Sequence, residues 1–184
     1  MALGIGLALS SEVMGADEGL DQVMAKLAAV TSSRAHFTER RTMNLLTTPL
    51  ESSGTLTYTR PGRLERTNLY PSQQRMSVDG NKVTVEQDGQ TRSFALGDTP
   101  EVTALIESIR STLSGDLATL EKYYAVAFKG TPARWELRLT PKDARVKALV
   151  RSIAIAGRNA TIETVDTEEQ GGDRTVMAIV EDRP

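Results

Sequence analysis

Apolar and polar residues alternate in short stretches along most of the chain, a pattern typical of β-strands with one buried face. Turn-forming pairs such as Asp79-Gly80 and Gly171-Gly172 separate these stretches. The alternation predicts strands over residues 34–45, 52–60, 63–70, 73–79, 82–87 and 90–96, and further strands around Val126, Trp135, Ile153 and Val176. Because the connections are short, we expect an antiparallel meander instead of parallel units.

Apolar residues recur at helical spacing over residues 17–30, which predicts an amphipathic helix packed against the sheet. The period becomes helical again at Thr99-Pro100, where a helix N-cap precedes a proline at the first helical position. Gly115 is placed to end this helix, and Asp116 to cap a short one after it. The chain is therefore predicted to be a β-rich α+β domain interrupted by a helical pair.

The segment from Gly54 to Gly80 is the most informative part of the chain. Strand alternation places Leu56, Tyr58 and Arg60 on one face, so this face is apolar with a single cation at its rim. Pro61 then interrupts regular pairing because it lacks a backbone donor.

This segment, read as G-x-L-x-Y-x-R-P followed by V-D-G, resembles the LolA-type periplasmic lipoprotein carrier family. Residues 36–39 are similar to the first strand of that family. The resemblance implies a curved, incomplete antiparallel β-barrel, or half-barrel, whose helices cover an apolar cavity that takes acyl chains. It also implies that Arg60 lies beside this cavity under a helical lid. Residues 81–85 lack the aromatic side chains usual in such carriers, so we expect a divergent branch.

Inward-facing apolar positions of the predicted strands are the candidates for the cavity wall. Alternation identifies a buried face but does not say whether a ligand or another side chain fills the space, so ordinary core is the alternative for each of them. Met76 would adapt to irregular acyl contacts. The candidates are Leu56, Tyr58, Met76, Val78, Phe94, Trp135, Leu137, Ile153 and Ile155.

Composition narrows the function classes without naming one. The 184 residues suit one domain with a substantial core. A formal net charge of −2 gives no field for binding nucleic acid. The absence of cysteine excludes disulfides, thiolate metal sites, cysteine nucleophiles and lipidation through an N-terminal cysteine.

Residues 2–9 form a short apolar run that suits the core of a signal peptide and is too short to span a bilayer. Cleavage near Ala16 would leave a mature protein that starts at Asp17. We therefore expect a signal peptide or its remnant over residues 1–16, export to the periplasm, and a single LolA-like domain over residues 17–184. The alternative is a cytosolic protein with an apolar leader.

No constellation of catalytic or metal-binding residues is visible. His36 is the single histidine, and no zinc pair, nucleophile elbow, P-loop or dinucleotide fingerprint accompanies it. The acidic residues between Glu163 and Asp173 do not follow calcium-loop spacing. We expect no catalytic residues, no metal and no cofactor. A hydrolase would require turnover that depends on a carboxylate or on His36.

These patterns together predict a monomeric, non-enzymatic periplasmic carrier. It would bind lipid or the acyl chains of lipoproteins in a hydrophobic cavity, take them from an inner-membrane donor, and pass them to an outer-membrane acceptor. Nucleic acid is not an expected partner. The alternative is a regulatory module that uses the same half-barrel to sense lipid or bind a protein without transporting cargo.

Overall fold

The computed structural model describes residues 16–182, so most of the predicted signal peptide lies outside the described residues. Within this range the chain forms one antiparallel sheet of eleven strands. The strands are β1 Ser32–Thr42, β2 Leu50–Thr59, β3 Arg63–Tyr70, β4 Gln74–Asp79, β5 Lys82–Gln87, β6 Gln90–Ala95, β7 Tyr124–Thr131, β8 Arg134–Pro141, β9 Val150–Arg158, β10 Thr161–Glu169 and β11 Arg174–Glu181.

Four α-helices accompany the sheet in the described residues: α1 Ala16–Ala28, α2 Pro100–Ser114, α3 Leu117–Tyr123 and α4 Ala144–Leu149. A 3-10 turn over Leu96–Asp98 leads from β6 into α2. None of the helices within residues 16–182 is long and apolar enough to cross a membrane.

The strand order explains why α2 lies over the middle of the sheet. Across the sheet, the strands run β6-β5-β4-β3-β2-β1-β11-β10-β9-β8-β7. The chain thus starts at the centre, moves to one edge at β6, crosses to the other edge through α2 and α3, and returns to pair β11 with β1. The sheet is not closed into a barrel. The predicted fold class, a β-rich incomplete antiparallel barrel with covering helices, is confirmed.

Local chemistry sets the ends of α2. Pro100 occupies the first helical position after Thr99, and Gly115 ends the helix in the left-handed conformation with φ 69°. A Cβ built on Gly115 would lie 2.3 Å from the Met24 carbonyl oxygen of α1. Glycine is therefore required both for the turn and for the close approach of α1. Both predicted ends of the helix are confirmed.

The buried core divides into two clusters on either side of the sheet centre. The larger one joins α1, α3 and α4 to β7–β10, with Trp135 and Leu137 among its buried members. The smaller one joins β4–β6 to the first half of α2 through Val78, Val83 and Ile106. The central strands β1, β2 and β11 contribute no buried member to either cluster. The buried apolar residues of β1 and β2, namely Ala35, Phe37 and Tyr58, lie outside both clusters.

The short helix α4 is absent from the elements predicted by pattern. It covers only six residues, so its apolar periodicity is too short to register. Asp143 caps it by accepting hydrogen bonds from the backbone amides of Arg145 and Val146. These bonds hold the pKa of the Asp143 carboxyl below its usual value. Asp143, a residue type favoured at helix N-caps, was the sequence signal that could have indicated this helix.

Candidate functional site

An apolar cavity of about 450 Å³ lies between the centre of the sheet and α2. This volume is in the range of small-molecule binding sites, roughly 300–1,000 Å³. Its floor comes from the inward faces of β1–β4 and β9–β11, and one wall from the end of α1. The apolar lining residues are Leu27, Val30, Ala35, Leu56, Tyr58, Leu64, Met76, Val78, Val102, Leu105, Ile106, Ile109, Leu113, Ile153, Ala160, Ile162, Val165, Met177 and Ile179.

Helix α2 turns two different faces to its surroundings. Its larger apolar residues, including Leu105, Ile109 and Leu113, face the cavity. Ala104 and Thr112 are buried outside the cavity lining, whereas Ser108 is buried and lines the cavity. The hydroxyls of Ser108 and Thr112 donate within α2, to the carbonyls of Leu105 and Ser108. Each of these hydroxyls therefore has a hydrogen-bond acceptor within the helix.

Arg110 attaches α2 to two hairpins of the sheet. Its Nη1 donates to the Gly80 carbonyl in the β4–β5 turn at 2.7 Å. Its side chain packs on Gly62 in the β2–β3 turn, where a Cβ would lie 3.0 Å from Arg110 Cδ. Glu107, one turn earlier and only 5% exposed, holds the guanidinium through hydrogen bonds to Nε and Nη2. The pair thus presents a fixed cation to the sheet.

Arg60 makes a second attachment, in which the arginine comes from the sheet and the acceptor from α2. Its Nη2 donates to the Ser114 carbonyl in the last turn of α2 at 3.3 Å, and the side chain is exposed. The last carbonyls of a helix lack partners within the helix, so they are ready acceptors for a cation. We call the Arg60–Ser114 and Arg110–Gly80 contacts the two arginine anchors of α2.

A charged pair interrupts the apolar lining on the other side of the cavity. Arg66 on β3 makes a bidentate contact with Glu39 on β1, with bonds of 2.9 and 3.0 Å. Asn68 accepts from Arg66 Nε, and the guanidinium lies 4.5 Å from the centroid of the Phe37 ring. Their side chains are only 25% and 19% exposed. Every charge at this site thus has an internal partner.

Sequence reasoning missed this pair. Strand alternation places Glu39 on the same face as Ala35 and Phe37, so its side chain points inward. Arg66 lies 27 positions away and occupies the inward face of β3 opposite Leu56. The signal that could have found them is a charged residue at an inward position of each strand.

Five of the nine predicted cavity residues line the cavity, and four do not. The five are Leu56, Tyr58, Met76, Val78 and Ile153. Trp135, Leu137 and Ile155 belong to the larger core cluster, and Phe94 packs against the smaller one. The difference is one of position along the sheet, because all nine lie in strands with the expected alternation. The residues on β6 and β8 meet helices and core, whereas those on β2 and β4 face the cavity. On β9, Ile153 lines the cavity and Ile155 does not.

The residues considered for catalysis are spread over the outer surface. The His36 side chain is 64% exposed, and its Nε2 lies 3.3 Å from Asp182. The acidic residues of the last hairpin face arginines: Glu163 lies beside Arg158, and Asp166 beside Arg174. Within residues 16–182 no group of three or more histidine or carboxylate side chains is placed to hold a metal ion.

Comparison with known proteins identifies the family. A family model described as outer membrane lipoprotein carrier protein LolA-like matches residues 14–180. The chain belongs to this LolA-like family. Its recognition from the G-x-L-x-Y-x-R-P and V-D-G segments is thereby confirmed. The fold is accordingly a lipid- or lipoprotein-binding fold, consistent with an apolar cavity at its centre.

Solved structures with a similar chain path are distant in sequence. A LolA superfamily protein from Nitrosomonas europaea is 12% identical, with 90% of this chain and 95% of that chain covered and a TM-score of 0.47. A DUF1329 family protein from Desulfovibrio piger is 11% identical, with 90% and 91% covered and a TM-score of 0.48. The Mycobacterium tuberculosis lipoprotein LppX is 10% identical, with 91% and 97% covered and a TM-score of 0.39. No curated protein sequence matches the chain.

Proposed function

We propose that this LolA-like protein is a periplasmic carrier that holds an acyl chain of a lipid or lipoprotein and delivers it to an acceptor at the outer membrane. The observation that carries the proposal is the apolar cavity beneath α2, the element that connects the two edges of the open sheet. The proposal contains no catalytic step, no metal and no cofactor.

The cavity has the length and lining that an acyl chain needs. Ser33 and Glu39 both line the cavity and are six positions apart on the inward face of β1, which corresponds to about 20 Å at about 3.3 Å per residue. A bilayer leaflet has a hydrocarbon depth of roughly 15 Å, half of about 30 Å. One acyl chain therefore fits along β1, with Leu56, Met76 and Val78 as proposed contacts. Met76 supplies an adaptable thioether surface.

Binding of an acyl chain in such a cavity is strong enough to require assisted release. At about 0.8 kcal/mol per buried CH₂, a 16-carbon chain is worth on the order of 12 kcal/mol before ordering costs. Release then requires α2 to move away from the sheet and the acceptor to bury the chain in turn. An acceptor can drive that change only by binding the open form better than the closed form.

The arginine anchors are the proposed control points of this movement. Both bind backbone carbonyls, Ser114 in α2 and Gly80 in the β4–β5 turn, so neither hydrogen bond depends on the side chain of its acceptor residue. The hydroxyls buried on α2 bond within the helix, so opening leaves them satisfied. The proposed setting is a monomer that meets an inner-membrane donor and an outer-membrane acceptor after export directed by residues 1–16.

A vesicle transfer assay tests this proposal. Donor vesicles of phosphatidylcholine carry a pyrene-labelled diacyl lipid, and acceptor vesicles carry none. We expect the rate of probe transfer to rise in proportion to protein concentration. Met76→Glu places a charge in the cavity and should abolish the increase. Val180→Glu is the matched control, since Val180 is 70% exposed on the outer face and its replacement should leave transfer unchanged.

The outcomes separate transport from sensing. Stoichiometric binding of the labelled lipid without accelerated transfer would replace the carrier with a lipid-sensing module. Neither binding nor transfer by the folded protein would refute an acyl-binding function altogether.

A further inference from the structure

The charged pair in the cavity wall is accessible to a ligand. Glu39 on β1 and Arg66 on β3 both line the cavity. Their side chains are 19% and 25% exposed, and both occupy inward strand positions. A molecule that fills the apolar cavity can therefore contact the carboxylate and the guanidinium.

The pair keeps hydrogen-bonding capacity beyond its internal contacts. A guanidinium has five N–H donors. Within residues 16–182, Arg66 uses three of them, one to Asn68 and two to Glu39, which leaves two for a ligand. The Glu39 carboxylate accepts these two bonds and one from the Ser52 hydroxyl, of about four that a carboxylate can accept. The pair can thus both donate to a ligand and accept from it.

The charges of the cavity lining favour a neutral ligand group. Among the lining residues of the described chain, Arg66 is the only lysine or arginine, and Glu39 already neutralises it. The other lining carboxylates are Glu65, which pairs with Arg75, and Glu181. A free fatty carboxylate would meet no unbalanced cation in this lining, and burial of an uncompensated charge is costly.

The pair lies away from the end of the sheet where Arg60 holds α2. Glu39 is opposite Ser52 across the β1–β2 pair. Ser33, six positions earlier on β1, is opposite Tyr58. Arg60 follows Tyr58 by two residues and donates to the last turn of α2. An acyl chain whose polar linkage lies at Glu39 can therefore extend along β1 toward the anchored end of α2.

We propose that the Glu39–Arg66 pair binds the polar linkage of the acyl ligand and, because its charge is balanced, selects a neutral ester or amide over a free carboxylate. This inference rests on the proposed acyl-binding function. The carbonyl oxygen of an ester or amide accepts from the free N–H groups of Arg66, and a ligand N–H or hydroxyl donates to Glu39. Both are hydrogen bonds to an ionised group, which are stronger than those between neutral groups.

The test measures how radiolabelled palmitate and N-palmitoylethanolamine partition between the protein and phosphatidylcholine vesicles at alkaline pH, where palmitate is ionised. Glu39→Gln removes the carboxylate and leaves the Arg66 charge unbalanced in the cavity wall. We expect this variant to bind palmitate roughly 10- to 150-fold more tightly than the parent protein, the effect of one hydrogen bond to a charged group. It should bind N-palmitoylethanolamine no more tightly than the parent protein. Each ligand is compared with itself across variants, so differences in solubility cancel.

Asp166→Asn is the matched control. Asp166 makes a bidentate contact with Arg174 on the neighbouring strand, and neither residue lines the cavity. The substitution changes the net charge by the same amount and should alter the affinity for neither ligand.

A second variant replaces the whole pair. Glu39→Leu/Arg66→Leu exchanges a buried ion pair for apolar side chains, a change that is often neutral or stabilising. It should weaken N-palmitoylethanolamine binding by at least about 2-fold, the lower limit for one hydrogen bond, and leave hexadecane binding unchanged. Circular dichroism checks that each variant is folded.

Two further neutral ligands identify the source of the linkage: monopalmitoylglycerol represents lipid esters, and N-palmitoylglycine amide represents the amide of a lipoprotein. Weaker binding of at least one of them to Glu39→Leu/Arg66→Leu supports the inference. If the parent protein binds palmitate and N-palmitoylethanolamine, and Glu39→Gln changes both affinities by the same factor or changes neither, recognition of the linkage is refuted while acyl binding stands. If the parent protein binds none of these ligands, the inference and the proposed function fail together.

Discussion

The two arginine anchors of α2 should contribute unequally to its closure. Arg110 donates to the Gly80 carbonyl at 2.7 Å, and its side chain is 21% exposed. Arg60 donates to the Ser114 carbonyl at 3.3 Å from an exposed position. The family resemblance draws attention to Arg60, but the geometry favours Arg110. We predict that loss of Arg110 releases α2 more than loss of Arg60.

The substitution of Arg110 must not leave the buried Glu107 carboxylate without an ion-pair partner. Arg110→Ala by itself would strand Glu107, which is 5% exposed, and an unpaired buried charge costs about 3–5 kcal/mol. We therefore compare Glu107→Gln/Arg110→Ala with Glu107→Gln, in which the neutral amide removes that cost. Arg60→Ala is made in the parent protein.

The expected magnitudes follow from the two contacts. A partly buried hydrogen bond from a charged donor contributes about 1.5–3 kcal/mol, so removing Arg110 should increase opening of α2 by roughly 10- to 150-fold. A long, exposed bond contributes about 0.5–1 kcal/mol, so removing Arg60 should increase opening by about 2- to 5-fold.

Native-state hydrogen exchange of the α2 amides measures opening directly. Arg134→Ala is the control, because Arg134 is the first residue of β8, away from both anchors, and its loss should leave α2 protection unchanged. Equal protection of α2 in Glu107→Gln and Glu107→Gln/Arg110→Ala would refute the reasoning, as would a larger effect from Arg60→Ala. Apolar burial alone would then hold the helix closed.

The remaining predictions concern stability and ligand contact. Leu137→Ala, in the fully buried core, should lower the free energy of unfolding by about 2–5 kcal/mol in urea titrations, whereas Met76→Ala, at the cavity wall, should cost less stability and weaken acyl binding more. Hydrogen bonds from the Thr119 side chain and backbone amide hold the pKa of Asp116 below its usual value. The stabilisation by this cap should be fully present above about pH 3.9 and be lost as pH falls through the lower folded pKa, so Asp116→Ala should cost about 1 kcal/mol near pH 7 and little in strong acid.

Local sequence chemistry predicts the elements of this fold well. Alternation placed the strands to within a few residues, and the proline at residue 100 and glycine at residue 115 marked the ends of α2. These signals lie within each strand or helix, so they can be recognised without knowledge of the tertiary structure. The limit appears at α4, where six residues contain too little periodicity to identify a helix.

The site was predictable only in part because its boundaries depend on long-range packing. Leu56 and Leu137 both occupy inward strand positions, yet the first lines the cavity and the second is core. The difference arises because the edge strands β7 and β8 are covered by α1 and α3, whereas the central strands are left open beneath α2. Alternation reports the face of a residue and does not report what lies opposite it.

The central claim, that acyl chains reach the cavity by movement of α2, can be tested with a reversible covalent lock. The lock is Gly62→Cys/Arg110→Cys made together with Glu107→Gln, so that no buried carboxylate is left unpaired. It joins the β2–β3 turn to α2, because Arg110 Cγ, close to the position of a cysteine sulfur, lies 3.3 Å from a Cβ built on Gly62. The chain has no other cysteine, so this pair forms without competition. The measurement is the uptake rate of a fluorescent fatty acid by the same protein before and after reduction. The account predicts at least about a tenfold slower uptake in the oxidised form, corresponding to about 1.4 kcal/mol or more, with recovery on reduction. Equal uptake rates in the oxidised and reduced forms, with the disulfide verified by mass spectrometry, would contradict it.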